Sequence, residues 1–312
     1  MPEGHTIHRL ARDCAERFAG RDLAVSSPQG KFADGAALLD GSVLTGTDAH
    51  GKHLFLGFGP LGWVHIHLGL YGTFRFGASP REAGTGAGHP RGAGSQDASP
   101  EDALPDGEPA RVPPPPVGQV RLRLATRPGK TPDAPPETLY WADLRGPTRC
   151  ELLTEPEKEA VSERLGPDPL RAASDPDAAW ARISRSRTSV AALLMDQKVV
   201  AGVGNVYRAE VLFRHGIDPY RAGRDLDRSE WEALWVDLVA LMHEGVRNNR
   251  IDTVRDEHTP EAMGRPPRVD DHGGEVYVYR RAQQPCHLCG SEVRTAELAG
   301  RNLFWCPGCQ QS

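Results

Sequence analysis

The chain contains 312 residues, of which 38% are hydrophobic and 25% charged, and this length is sufficient for two domains with a sizeable core. It lacks an apolar run of membrane-spanning length and a charged-then-apolar leader, so the sequence predicts a cytoplasmic protein without a membrane partner. The net charge of −5 argues against a uniformly basic nucleic-acid-binding protein, although individual segments can still be basic.

The first twenty residues predict an amphipathic helix. Ile7, Leu10, Cys14 and Phe18 fall on one stripe at helical spacing. Glycine at position 20 stands where such a helix would end. Pro2 is well tolerated in the first turn of a helix, so taken alone it indicates only a helix start.

Short runs with β character follow this helix. Several of them alternate apolar and polar residues, as half-buried antiparallel strands do: DLAVSSP, SVLTGTDAHGKHLFLGF, GWVHIHLGLYGTFRF, VRLRLAT and TLYWADL. Their spacing predicts a sandwich or a barrel. Residues 77–118 form a Gly-, Pro- and acid-rich segment with three arginines against six acidic residues, and we expect it to be a disordered insertion within a hairpin.

The pattern becomes helical from about residue 154. We therefore place an N-terminal domain at residues 1–150 and a helical domain at residues 151–275. Residues 182–224 carry eight lysines and arginines against three acidic residues, so this segment is basic. A glycine-rich turn at 202–205 separates two of the predicted helices, and backbone amides at a helix start bind anions. The sequence therefore predicts a phosphate site at this turn.

Four cysteines near the end of the chain predict a zinc site. Cys286 and Cys289 form one pair with two intervening residues, and Cys306 and Cys309 form the other, sixteen residues further on. Four thiolates at this spacing complete a tetrahedral shell around Zn²⁺. Because such a shell leaves no position for a substrate, we expect one structural zinc that stabilises a small hairpin in residues 276–312.

Five motifs occur in order along the chain: MPEG at the start, GKHL around Lys52, LYG at 70–72, LLMDQKVVAGVGNVYRAEVLFRHGIDP, and PCHLCG…GRNLFWCPGCQ. This combination resembles the formamidopyrimidine-DNA glycosylase / endonuclease VIII family of base-excision repair enzymes. The resemblance implies a two-domain α+β fold. Its N-terminal antiparallel β-sandwich carries an N-terminal helix, and its helical helix–two-turn–helix domain ends in a four-cysteine zinc-finger β-hairpin.

The resemblance also implies four catalytic residues. Removal of Met1 would leave Pro2 with a free secondary amine. The pKa of an α-amine is near ~8, and the positive potential at the start of a helix lowers this pKa further. By the family's mechanism this amine attacks C1′ of the damaged nucleotide and forms an iminium that acts as an electron sink. Glu3 is the implied acid/base, Lys52 assists β-elimination and contacts phosphate, and Arg301 assists δ-elimination.

Further positions resemble residues of the family that contact DNA. Asn205 matches a phosphate-binding asparagine, and Arg164 matches a DNA-contacting arginine of endonuclease VIII. Residues 69–71, here called the wedge loop, would fill the space left when the lesion leaves the duplex. Leu70 and Tyr71 suit that role because apolar and aromatic side chains replace a lost stacking partner. Gly69 departs from the polar residue of the family pattern.

Taken together, the resemblance implies a monomeric, nucleoid-associated DNA glycosylase/AP lyase that binds damaged DNA and cleaves it by β,δ-elimination. The MPEGHT start and the FWCPGCQ end look more like the endonuclease VIII branch, which implies oxidised pyrimidines as substrates. One alternative is an oxidised-purine glycosylase. A second is a non-catalytic, zinc-containing protein that binds damaged DNA.

Overall fold

Two four-stranded antiparallel sheets form the N-terminal part of the protein. The computed structural model describes residues 2–78, 113–127, 138–269 and 274–311. In chain order, the elements of this part are α1 (Gly4–Phe18), β1 (Leu23–Ser26), α2 (Ala33–Leu39), β2 (Gly46–His50), β3 (His53–Gly57), β4 (Trp63–His67), β5 (Thr73–Ala78), β6 (Val120–Thr126), β7 (Tyr140–Arg145) and β8 (Arg149–Leu153). The strand orders are β1-β6-β7-β5 and β2-β3-β4-β8.

The two sheets enclose one hydrophobic core, to which α1 contributes its apolar stripe. Leu54 and Ile66 of one sheet, Leu122 and Leu144 of the other, and Leu10 of α1 belong to the same buried cluster. Successive side chains of a strand point to opposite faces, so the alternating pattern of the sequence places these residues inside. The predicted antiparallel sandwich with an N-terminal helix is therefore confirmed.

The strands on either side of the Gly- and Pro-rich segment are not partners of each other. Both β5 and β6 pair with β7, which lies between them, so the prediction of an insertion within a hairpin is wrong. Gly77 and Ala78 still belong to the ladder, opposite Trp141 and Tyr140. Residues 79–112, which include most of the predicted disordered insertion, lie outside the described residues.

The remaining elements are helical until the final hairpin. They are α3 (Glu155–Ser162), α4 (Pro176–Ile183), α5 (Val190–Met195), α6 (Asn205–Arg214), α7 (Arg228–Asn248), α8 (Pro260–Met263), β9 (Arg294–Leu298) and β10 (Arg301–Trp305). Strand β8 pairs with β4, so the N-terminal sheet continues to Leu153, past the boundary proposed at residue 150. Trp231, Leu238 and Tyr207 are among the residues of the second core. No described helix is long and apolar enough to cross a membrane.

A buried carboxylate joins the two parts of the protein. Oδ2 of Asp168, in the connection between α3 and α4, lies 2.7 Å from Nε2 of His8 and accepts a hydrogen bond of 2.7 Å from the amide of Gly51. Its Oδ1 accepts from the amide of Leu170 at 2.9 Å. One side chain thereby fixes α1 and the β2–β3 turn relative to the helical domain.

We expect Asp168→Asn to lower the free energy of unfolding by about 1–3 kcal/mol at neutral pH, because the buried donors lose a charged acceptor. Burial alone would raise the pKa of Asp168, but the hydrogen bond and charge of His8 and the amides outweigh it and hold the pKa below its ordinary value. This stabilisation is therefore present above the unfolded pKa, near ~3.9, and is lost as pH falls through the folded pKa.

Urea denaturation of the wild type and the variant at several pH values measures this difference, with Asp34→Asn on the exposed side of α2 as the control. A gap between wild type and Asp168→Asn that stayed constant down to pH ~3 would contradict the assignment of the effect to the ionised carboxylate.

Candidate active site

Glu3 is fully buried where the N-terminal residues meet the turn before α6. Its Oε2 accepts a hydrogen bond from the amide of Gly204 and its Oε1 accepts one from the amide of Val206, both at 2.8 Å. Burial raises the pKa of Glu3, whereas the charge of Lys52 and the backbone amides oppose that rise. The net shift is upward, so Glu3 retains its proton to higher pH than an ordinary glutamate, as a proton donor requires.

Two amides at the glycine-rich turn thus bind a carboxyl group of the chain itself. The amides of Gly204 and Val206 donate to Glu3 and are not available to a phosphate, so the phosphate site at residues 202–205 stays a prediction. The amide of Gly202 donates to Oε1 of Gln197 at 3.0 Å. A Cβ atom at position 204 would lie 2.3 Å from Cδ of Glu3, so only glycine leaves space for this carboxylate.

Lys52 lies in the turn between β2 and β3 and is brought to the same site as Glu3. Burial lowers the pKa of its ammonium, and the positive charges of Arg301 and Arg208 lower it further, while Glu3 raises it. The amide of Gly51, the preceding residue, is held by Asp168 at the domain junction. The structure therefore brings both Glu3 and Arg301 within electrostatic reach of Lys52.

The β9–β10 hairpin carries Arg301 at its tip. The two turn residues, Ala299 and Gly300, have φ angles of 54° and 69°, as a two-residue turn that matches the twist of antiparallel strands requires. Arg301 is exposed and begins β10. Nδ2 of Asn205 donates a hydrogen bond of 2.9 Å to the carbonyl of Asn302. Asn205 therefore connects the two-turn, which is the glycine-rich turn at residues 202–205, to the hairpin.

The four predicted cysteines lie together at the end of this hairpin opposite its tip, and the distances between their sulfur atoms fit a zinc ion. Their sulfur atoms all lie within 4.8 Å of one another. The Sγ atoms of Cys286 and Cys309 are 3.8 Å apart, and those of Cys289 and Cys306 are 3.4 Å apart. Tetrahedral Zn–S bonds of about 2.3 Å require sulfur separations close to these. Among the described residues, this is the one group of three or more potential ligands with such geometry.

The wedge loop lies between β4 and β5 and presents its side chains to solvent. Tyr71 is 85% exposed and Leu70 is 41% exposed, which is unusual for side chains of this size and leaves both available to a ligand. Gly69 has a φ of 69°, and a Cβ atom there would lie 2.4 Å from Cγ2 of Thr148. The departure at Gly69 thus reflects a backbone conformation that a larger residue would strain.

For the two remaining predicted residues, Pro2 and Arg164, the structure shows no hydrogen bond or ion pair to Glu3, Lys52 or Arg301 among the residues it describes, apart from the peptide bond that joins Pro2 to Glu3. Pro2 is half-buried and precedes Glu3, which caps α1, so it lies outside the first helical turn. Arg164 is exposed in the turn after α3, and no hydrogen bond or ion pair within the described parts of the chain joins it to another predicted site residue.

The sequence did not predict two residues that organise the site, Asp168 and Arg208. Asp168 has no periodic or motif signal, because its partners lie more than 100 residues away along the chain. Arg208 is fully buried in α6 and donates to Oδ1 of Asn205. Its spacing of three residues from Asn205 on a predicted helix was the available signal, since such residues are neighbours on a helix surface.

Comparison with known proteins accounts for nearly the whole chain. The formamidopyrimidine-DNA glycosylase N-terminal domain matches residues 1–150, and the H2TH domain of the same glycosylase matches residues 165–256. A zinc finger found in FPG and IleRS matches residues 283–311.

Individual relatives agree with these domain matches. Endonuclease 8 1 of Mycobacterium tuberculosis is 48% identical over 312 residues, which cover 99% of this chain and 100% of the relative. Formamidopyrimidine-DNA glycosylase of Alkalilimnicola ehrlichii is 30% identical over the full length of both chains. Lactococcus lactis Fpg, in a complex with DNA containing an abasic site, superimposes with a TM-score of 0.67 at 20% identity, covering 99% of this chain and 100% of that chain. This structural likeness establishes the fold.

We expect Cys306→Ala to abolish stoichiometric zinc binding and to unfold the β9–β10 hairpin, because a small metal site supplies the folding free energy of its own segment. Hydrogen–deuterium exchange of residues 294–305 should rise to the rate of an unfolded peptide, while β3 and β4 stay protected. Cys150→Ala in β8 is the matched control and should retain both zinc and protection. Protected hairpin amides in zinc-free protein would contradict this expectation.

Proposed function

Because the chain belongs to the formamidopyrimidine-DNA glycosylase / endonuclease VIII family, and is therefore a zinc-containing DNA glycosylase and AP lyase for oxidised bases, we propose that its preferred substrates are oxidised pyrimidines. The support is the 48% identity over the full length to an endonuclease 8, against 30% to a full-length formamidopyrimidine-DNA glycosylase. A wedge formed by Leu70 and Tyr71 on one exposed loop is consistent with this branch.

In the proposed reaction Pro2 is the nucleophile. Once Met1 is removed, its amine attacks C1′ of the damaged nucleotide, the bond from C1′ to the base breaks, and the base leaves with the bonding electrons and takes up the proton that the amine gives up. Loss of the amine proton and opening of the sugar at C1′–O4′ give a covalent iminium. The position of Pro2 immediately before Glu3, at the N-terminus of α1, supports this role.

Glu3 is the proposed acid/base, and its contacts with the two-turn are the observation that carries the proposal. The carboxyl group is fully buried, has a raised pKa, and is oriented by two backbone amides from a segment 200 residues away. General acid catalysis requires a group of fixed position that is protonated near the working pH. In this role Glu3 donates a proton to O4′ as the sugar ring opens.

Lys52 and Arg301 are the proposed groups for strand cleavage. The lowered pKa of Lys52 increases the neutral fraction of its amine, which can then remove a proton from C2′ during β-elimination. Arg301, at the exposed hairpin tip, is placed to assist δ-elimination on the 5′ side. Asn205 and Arg164 are proposed contacts to phosphate, and such contacts make binding depend on salt.

The non-catalytic alternative requires no free amine and no fixed acid beside it. It is disfavoured because Glu3, Lys52 and Arg301 share one site although they lie far apart in the sequence. The oxidised-purine alternative keeps the same catalytic groups and differs only in the lesion it accepts.

Borohydride trapping tests the proposed chemistry on one labelled duplex with an abasic site and another with dihydrouracil. Wild type should form a covalent adduct on both. Pro2→Gly should weaken both adducts without abolishing them, because its terminal amine is still a nucleophile, and Glu3→Gln should lose the dihydrouracil adduct first, because the sugar of an intact nucleoside needs the acid to open whereas an abasic sugar opens without it. Protein shown by mass to lack Met1 and to hold zinc, yet without an adduct on either duplex, would contradict the proposal.

Adding 8-oxoguanine to the same panel separates the two lesion classes. We expect kcat/KM for dihydrouracil to exceed that for 8-oxoguanine by about tenfold or more, which corresponds to about 1.4 kcal/mol of transition-state binding. The opposite order would favour the oxidised-purine alternative.

Tyr71→Ala should reduce excision of dihydrouracil from duplex DNA by about 10- to 100-fold, since stacking of one base is worth about 1–3 kcal/mol. Trapping on a single-stranded abasic site should change less, because that strand has no stack to restore. Tyr220→Ala, which alters an exposed tyrosine beside Trp305, is the matched control. An equal loss on both substrates would argue against a wedge role.

A further inference from the structure

Arg208 of α6 is a buried cation that nothing in the catalytic scheme above requires. Its side chain is 0% exposed. Its Nη2 donates a hydrogen bond to Oδ1 of Asn205, whereas Nε and Nη1 have no hydrogen-bond partner in the described parts of the chain. A buried guanidinium with two unsatisfied nitrogens lowers the free energy of unfolding, so stability does not account for an arginine at this position.

Electrostatic attraction to Glu3 does not explain the buried charge of Arg208 either. Burial lowers the pKa of Arg208 to about 10, so it remains charged at neutral pH. Glu3 attracts it and Arg301 repels it. No ion pair joins Arg208 to Glu3 in the described parts of the chain, and the oxygens of Glu3 accept hydrogen bonds from backbone amides instead.

The single hydrogen bond of Arg208 determines the orientation of an amide. Because Oδ1 of Asn205 faces the guanidinium, its Nδ2 must face the opposite way, and there it donates to the carbonyl of Asn302 at 2.9 Å. In a flipped amide the oxygen would face that carbonyl and the NH₂ group would face the cation, and both contacts would be repulsive. The carbonyl belongs to the residue that follows Arg301 in β10.

We propose that Arg208 is a positioning residue that fixes the Asn205 amide, so that Asn205 holds the zinc hairpin, and with it Arg301, against the two-turn. This inference rests on the proposed role of Arg301 in δ-elimination. Arg208 itself touches neither the substrate nor the reacting atoms. Its effect should therefore appear in the cleavage products rather than in formation of the covalent adduct.

The test compares Arg208→Met, which removes all donors at similar volume, with Arg208→Lys, which retains a donor and the charge. Arg224→Gln, which removes an exposed arginine charge beside Asp225, is the control. Arg208→Met should keep or raise Tm, keep borohydride trapping on an abasic site within about twofold, and lower the ratio of δ- to β-product about tenfold, as a small misplacement of a catalytic group does. Arg208→Lys should recover part of that ratio.

A double-mutant cycle with Asn205→Ala separates this role from others. If Arg208 acts through Asn205, then Arg208→Met should change the product ratio no further in the Asn205→Ala background. Additive effects would overturn the inference. An unchanged product ratio, or a fall in Tm with a parallel loss of trapping, would also overturn it, since the last result describes a structural residue.

Arg301→Ala, measured in parallel, distinguishes failure of the proposed role of Arg301 from failure of the proposed role of Arg208. If it keeps the δ-product, the proposed role of Arg301 fails, and the present inference fails with it. If it loses the δ-product while Arg208→Met keeps it, the inference about Arg208 alone is overturned.

Discussion

The hydrogen bonds from the two-turn to the Glu3 carboxylate are the interaction on which the rest of the site depends. A buried carboxyl group needs donors, and Gly204 and Val206 supply two from the second domain. They hold the N-terminal residues of the chain against a turn 200 residues away in sequence. Without them Pro2 and Glu3 would lie near a free chain end, which is poorly ordered in most domains. With them, both residues are held at one fixed location.

Two further contacts bring the other groups to this location. Asp168 receives the amide of Gly51 and so orients the turn that carries Lys52. Asn205 donates to the carbonyl of Asn302 and so orients the hairpin that carries Arg301. Lys52 and Arg301 are therefore each placed by a hydrogen bond between the second domain and a neighbour in sequence. Such support matters because small misplacements of catalytic groups carry large kinetic costs.

The sequence predicted those features that depend on local pattern. Strand alternation gave the sandwich, and cysteine spacing gave the zinc site, because each is determined over a few residues. It did not predict that the turn amides would be occupied by Glu3, since a turn selects an anion without specifying which one. Strand β7 separates β5 from β6 through long-range pairing, which adjacency in sequence does not reveal. Asp168 likewise carries no periodic signal, whereas Arg208 carries only its helical spacing from Asn205.

The charge distribution explains how an acidic chain can serve as a DNA enzyme. The net charge is −5, yet Lys52, Arg208 and Arg301 converge near a single carboxylate, Glu3. Burial is the largest cause of the lowered pKa values of Lys52 and Arg208; Glu3 opposes the fall, and repulsion by Arg301 adds to it. Desolvated cations of this kind attract an anion more strongly than fully hydrated ones do. The charges that a DNA phosphate meets near Lys52 and Arg301 are therefore the local cations of the site, not the net charge of the chain.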